Sequence, residues 1–213
     1  MNLEYFITDI DNTIADTRLR LRRSLREIGR EEVFAKTSDR FGGFSEYLDS
    51  RELNKFWGLF LSGEFLYLDE PAPGAAEFLH KLVDEGIDLI YLTGRHDQPE
   101  DTMRPGTESW LEESGFPVPN GSGTKLFMKP KRYMEDKEFK LALLKEEFSG
   151  RRGSDKVVGV GDHPDDALLY KQAGIRPMLL NWIGLFTIEE LNNSVSGVTV
   201  VDSWPEIEKE VWF

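Results

Sequence analysis

Six short apolar runs recur along this chain of 213 residues, at Leu3–Thr8, Ile87–Leu92, Lys125–Met128, Lys156–Val160, Pro177–Leu180 and Val198–Val201. Most are continuously apolar and do not alternate with polar residues, as a strand covered on both faces requires. Amphipathic stretches lie between them, at Ala75–Glu85, Thr107–Ser114, Phe139–Phe148 and Asp166–Ala173. Strand and helix alternating in this way predict an α/β doubly wound, Rossmann-like parallel sheet. Pro73-Gly74 and Gly86 act as start and stop signals around the Ala75 helix.

One long stretch breaks the rhythm. Residues 14–72 show helical patterns and no convincing strand, with an Arg-rich part from Arg18 to Arg30 followed by many aromatic residues. This predicts a helical insertion at 14–72 emerging from a core built of 1–13 and 73–213. Within it, Arg18, Arg22 and Arg26 fall four apart on one helix face while Leu21, Leu25 and Ile28 line another. Such a basic stripe is expected to be solvated, with recognition of an acidic substrate as the other reading.

In an open parallel sheet, ligands bind beyond the carboxyl ends of the strands, where strand order reverses. The first run here ends in Asp9-Ile10-Asp11-Asn12-Thr13, the second in Thr93-Gly94-Arg95, and the fourth in Gly161-Asp162-His163-Pro164-Asp165-Asp166. Ionised carboxylates are not placed beside a core without a partner, and a divalent cation would supply one through oxygen ligands. An Asp held in such a site can also attack phosphorus and form an aspartyl-phosphate. Thr93 offers a hydroxyl to a phosphate oxygen, and Gly94 allows close backbone approach. The transferring phosphoryl group needs a positive charge, and Lys125, Lys129, Lys137, Lys140 and Lys145 all precede the fourth strand.

Composition removes several classes. The net charge of −13 disfavours non-specific binding to nucleic acid or anionic membrane. Without cysteine there are no disulfides, thiol nucleophiles or thiolate zinc sites. No Gly-x-x-x-x-Gly-Lys loop exists, which disfavours a P-loop kinase or ATPase. The run from Pro177 to Phe186 is interrupted by Asn181 and Gly184, too short to span a bilayer, and no secretory signal is visible. A soluble, cytoplasmic protein with no membrane partner is expected.

Taken together, the strand-end clusters resemble the haloacid dehalogenase-like (HAD) superfamily of phosphatases and phosphotransferases. Asp9-x-Asp11-x-Thr13, then Leu92-Thr93-Gly94-Arg95, then a Lys before the fourth strand, then Gly161-Asp162-x-x-x-Asp166 are similar to its four motifs in order. The stretch after the first motif resembles the small helical cap of many members. The motif spacing is most like the polynucleotide-phosphatase and acid-phosphatase branch, with Gly161 in place of an Asp and Lys129 in place of an Arg. The resemblance implies a Mg²⁺-dependent phosphatase acting on a small phosphorylated substrate through an aspartyl-phosphate. In that reading Asp9 is the nucleophile and Asp11 the general acid/base, its pKa raised by burial beside Asp9. Thr93 and Lys140 complete the catalytic set, Lys140 being preferred to Lys129 for its spacing from Asp136, which is expected to orient one of the two lysines. Gly94, Arg95 and Lys129 are expected at the substrate. The metal would be held by Asp9, the backbone carbonyl of Asp11, Asp162 and Asp166, with Asp165 the competitor of Asp166. His96 and His163 are left outside the reacting centre, since imidazole is a poor magnesium ligand. The alternatives are a nucleotide or nucleic-acid-end phosphatase, which would hold its polyanion through few arginines, and, in a different class, a phospho-accepting receiver domain. Receivers are disfavoured because they are shorter and lack a cap.

Overall fold

The run Leu3–Thr8 becomes the middle of the molecule. In a computed structural model describing residues 3–37, 43–99, 101–119, 123–148, 156–187, 189–191 and 195–212, the strands in chain order are β1 (Tyr5–Thr8), β2 (Ala15–Asp16), β3 (Glu70–Pro71), β4 (Asp88–His96), β5 (Thr124–Lys129), β6 (Val157–Gly161), β7 (Arg176–Leu180) and β8 (Thr199–Val201). The helices are α1 (Arg18–Glu27), α2 (Glu31–Thr37), α3 (Ser50–Phe60), α4 (Ala75–Asp84), α5 (Met103–Glu113), α6 (Asp136–Glu147), α7 (Pro164–Ala173) and α8 (Trp204–Trp212). Six strands form one sheet in the order β5-β4-β1-β6-β7-β8, and every neighbouring pair runs parallel. The chain leaves β1, builds outward through β4 and β5 on one side, then crosses to β6, β7 and β8 on the other. The order therefore reverses at β1, which is where such sheets open a crevice at their carboxyl edge.

Successive strand residues point to opposite faces, so a strand covered on both faces must be apolar at every position. Phe6, Leu89, Tyr91, Val158 and Val160 pack with Phe78 and Leu82 of α4, Trp110 of α5, and Trp204 and Ile207 of α8. Ile7, Ile90 and Leu92 pack on the other side with Leu144 of α6 and Leu169 and Tyr170 of α7. Both layers are buried, which is why the runs read as continuous.

The stretch between β1 and β4 is mainly helical, and its first part is entered and left through a strand pair that the sequence reading lacked. β2 and β3 pair antiparallel, Ala15 with Pro71 and Asp16 with Glu70. Two-residue strands carry no periodicity to read. Between them, α1, α2 and α3 enclose a cluster of their own, made of Leu21, Leu25, Val33, Phe44, Phe56 and Phe60. α3 begins with a reciprocal cap: the Asp49 carboxylate accepts the N–H groups of Arg51 and Glu52 at 2.8 Å, and Glu52 accepts the Asp49 N–H at 2.9 Å. Such a box satisfies donors that a helix start leaves open.

Candidate active site

The loop after β1 shows why two carboxylates flank an isoleucine. Ile10 is fully buried, and its carbonyl accepts N–H groups from Thr13, Ile14 and Ala15. With the apolar residue turned into the core, Asp9 and Asp11 turn the other way and both line a cavity of about 680 Å³. Asn12 closes the turn with a φ of 58°, in a region that Asn tolerates better than most residues. Its side-chain oxygen accepts from the Thr17 hydroxyl at 2.7 Å, and its carbonyl accepts from the Trp182 indole at 2.7 Å.

Asp9 is the junction of the site. One carboxylate oxygen accepts the Ile10 N–H at 2.7 Å, and the other accepts the Lys140 ammonium at 2.7 Å. Lys140, buried on α6, also donates to Asp166 at 2.8 Å. Asp162 follows β6, where it accepts a longer bond from the Thr13 hydroxyl at 3.3 Å. Asp9, Asp162 and Asp166 each offer an oxygen within 4.8 Å of the others. Burial pushes Asp9 up from 3.8 to about 7, the charges of Asp166 and Asp11 adding to the rise and Lys140 opposing it. Asp162 is likewise raised, by burial and by the neighbouring Asp166 and Asp9. Lys140 is itself raised, because its carboxylate partners outweigh the burial that would lower it. Three carboxylates against one ammonium leave negative charge uncompensated in a dry site, and hard oxygen donors of this kind suit a divalent cation.

Asp11 differs from the expectation. Burial raises its pKa, but the charges of Arg20 and Arg95 more than reverse the effect and hold it well below the usual carboxylate range. Arg95 donates to Asp11 at 2.7 Å and to Asp69 at 2.8 Å. Arg20 of α1 also bonds Asp11. Its Nε lies 2.9 Å from Asp69 Oδ1, out of line for a hydrogen bond. Two arginines and two aspartates thus form a neutral, largely buried set joining α1 to the end of β4. Asp69 within it is raised to about 6, burial outweighing the two arginines.

The other sequence-derived candidates divide. Thr93 is fully buried and accepts the Arg95 N–H at 3.2 Å; it does not line the cavity, whereas Gly94 does. A side chain at Gly94 would collide with the Asp136 carboxylate. Arg95, expected at the substrate, is fully buried and directed at Asp11 and Asp69. Lys129 reaches the cavity, but its ammonium is occupied by Asp136 and by the Met134 carbonyl at 3.0 Å. Asp166 faces Lys140, while Asp165 pairs with Lys137 at 2.7 Å. Of the basic stripe, Arg18 pairs with Asp16 and Arg22 with Glu31, and Arg26 is exposed; none of the three lines the cavity. His163 caps α7, its ring nitrogen accepting the Asp165 N–H, and His96 donates to the Leu61 carbonyl at 3.0 Å.

Arg20 and Asp69 were missed by sequence reasoning. Arg20 sits one turn before Ser24 and beside Leu21, on the buried side of α1, and that phase was the available signal. Asp69 sits in an irregular link with nothing local to mark it.

No protein-family model matches the chain, and no curated protein matches it in sequence. Solved structures do match. A Clostridium difficile protein named as a candidate phosphatase superposes with a TM-score of 0.72 at 18% identity, covering 99% of each chain. A haloacid dehalogenase-like family hydrolase from Streptococcus pneumoniae gives 0.68 at 15% identity, over 98% of this chain and 99% of the other. A phosphoserine phosphatase in the form of a phospho-aspartyl intermediate analogue gives 0.58 at 16% identity, covering 99% of each. The likeness extends over the whole chain, including the helical stretch between β1 and β4, and the fold is therefore that of the haloacid dehalogenase-like phosphatases and hydrolases.

Proposed function

We propose that this protein is a Mg²⁺-dependent phosphatase that hydrolyses a small phosphomonoester through an aspartyl-phosphate on Asp9. The observation that carries the reading is the buried cluster of Asp9, Lys140, Asp162 and Asp166 at the carboxyl ends of β1 and β6, beside the point where strand order reverses. In this reading an Asp9 oxygen attacks phosphorus, the ester P–O bond breaks, and the leaving oxygen takes a proton from Asp11. Water then attacks the phosphorus of the acyl-phosphate, gives its proton to Asp11, and releases phosphate and free Asp9. Asp9, Asp162 and Asp166, with the Asp11 carbonyl, would hold the ion, which would supply charge neutralisation for the phosphoryl group. Lys140 adds a fixed positive charge at the same place.

Asp11 is held as a carboxylate by Arg20 and Arg95 in this conformation. Proton delivery therefore requires its side chain to leave that pair. The helical stretch serves as a cap in this reading, since Asn54, Trp57, Phe60 and Leu61 line the same cavity as Asp9. A volume of about 680 Å³ is in the range of small-molecule sites, and a cytoplasmic location fits such a substrate.

The test is turnover of p-nitrophenyl phosphate. Activity is expected with Mg²⁺, is abolished by EDTA, and falls by orders of magnitude in Asp9→Asn. Undiminished turnover by that variant would remove Asp9 from the mechanism.

A further inference from the structure

The cations of the cavity are not equivalent. Lys129, Arg132, Lys137 and Lys140 all line it. Each lysine faces a carboxylate: Lys129 has Asp136, Lys137 has Asp165, and Lys140 has Asp9 and Asp166. Arg132 has none among the described residues. Its Nη2 donates to the main-chain carbonyl of Trp57 on α3, its guanidinium lies 5.7 Å from the centre of the Tyr133 ring, and its buried Nε has no hydrogen-bond partner. The Arg132 N–H donates to the Gln98 side chain at 3.1 Å.

A guanidinium is always charged and its planar fork matches carboxylate and phosphate oxygens. Here that fork is spent on one neutral carbonyl, and an orphaned buried N–H is a group that calls for an acceptor. The remaining lining charge is predominantly acidic and concentrated around Asp9, Asp162 and Asp166. Arg132 therefore stands as a compensating cation at the wall formed by the β5–α6 loop and α3.

We propose that Arg132 receives a second anionic group of the substrate, a carboxylate or a second phosphate, at the wall it shares with Trp57. The inference rests on the phosphatase reading and narrows its substrate class to phosphomonoesters bearing a further negative charge. Binding exchanges the Trp57 carbonyl for the anion at the terminal nitrogens of the guanidinium.

The experiment compares alkyl phosphates of increasing chain length with their counterparts ending in a carboxylate or a second phosphate, using steady-state kinetics with Mg²⁺. The wild-type protein is expected to favour the doubly anionic esters in kcat/KM by roughly tenfold or more at the best chain length, through KM. Arg132→Ala should reduce that ratio by about the same factor, and Arg132→Glu should invert it. The carboxylate and bisphosphate series identify which anion is preferred. A ratio near one in the wild type, or an Arg132→Ala variant that slows both kinds of ester equally, would overturn the subsite and leave Arg132 as a clamp between α3 and the loop. Calorimetric binding of phosphonate analogues ending in a carboxylate, to wild type and Arg132→Ala, reads the subsite without turnover. Binding that depends on Arg132 in a protein that hydrolyses no ester would keep the subsite and defeat the phosphatase reading; binding indifferent to Arg132 would defeat the subsite.

Discussion

Lys140 and Lys129 both reach the cavity, yet their ammonium groups meet different acids. Lys140 bridges Asp9 and Asp166, whereas Lys129 is absorbed by Asp136. Charge stabilisation in a water-poor site depends on where the donor points, and losing one such donor costs on the order of a hundredfold or more in rate. Lys140→Ala is therefore expected to lower kcat for p-nitrophenyl phosphate by at least that factor, with Lys129→Ala much less affected. A dead Lys129→Ala beside an active Lys140→Ala would reverse the assignment. The Asp9–Asp11 pair was legible in the sequence because a single apolar residue between two acids at a strand end forces both acids outward. The state of Asp11 was not legible. Burial beside Asp9 argues for a raised pKa, and only the fold brings Arg20, 9 residues on, and Arg95, 84 residues on, to the same carboxylate. Long-range pairing of this kind leaves no local pattern.

At the scale of the elements, β6 and α7 are held so close that the site depends on a missing side chain. A Cβ at Gly161 would lie 2.6 Å from the Cβ of Asp166. Asp166 sits in the first turn of α7, where a carboxylate is favoured by the helix dipole. Gly161→Ala must push that turn away from the strand and carry Asp166 off Lys140. The expected result is a stability loss of about 1–3 kcal/mol, as for other overpacked sites, together with a fall in kcat larger than the melting shift accounts for. A variant with wild-type kcat and Tm would show that the turn has room to spare. The strand runs and most helix centres were readable because continuous burial and helical periodicity are properties of a dozen neighbouring residues. The edges were not. α5 starts at Met103, earlier than the pattern from Thr107, because Pro105 looks like a breaker yet is tolerated in a first turn. β4 continues through His96, past the apolar run, with its register to β5 shifting after Thr93.

Over the whole molecule, the site stores unfavourable charge that the metal would relieve, so stability and pH are coupled. The folded-state pKa of Asp9 is raised from 3.8 to about 7, chiefly by burial. Between those values the folded protein holds a proton that the unfolded chain has released. The unfolded state then binds fewer protons, and stability falls as pH rises through this window. The stabilisation is present below the unfolded value and lost above about 7, and Asp162, also raised by burial, Asp166 and Asp9, acts in the same direction. Both groups therefore lower stability as they ionise in the folded protein. A cation that binds only the folded protein opposes it by mass action, and more strongly once the carboxylates are ionised. In EDTA, the contribution of these two groups should lower Tm between about pH 5 and about pH 8, and the Tm increase given by Mg²⁺ should be larger at the higher pH. Asp162→Asn removes one of the three clustered carboxyl groups; at the higher pH it should raise Tm in EDTA and lose most of the Mg²⁺-dependent increase. The measurement is a set of thermal melts of wild type and variant at the two pH values, with and without the ion. A Mg²⁺ shift that is independent of pH, or one retained in full by Asp162→Asn, would mean that the ion is held elsewhere and that this cluster is balanced without it.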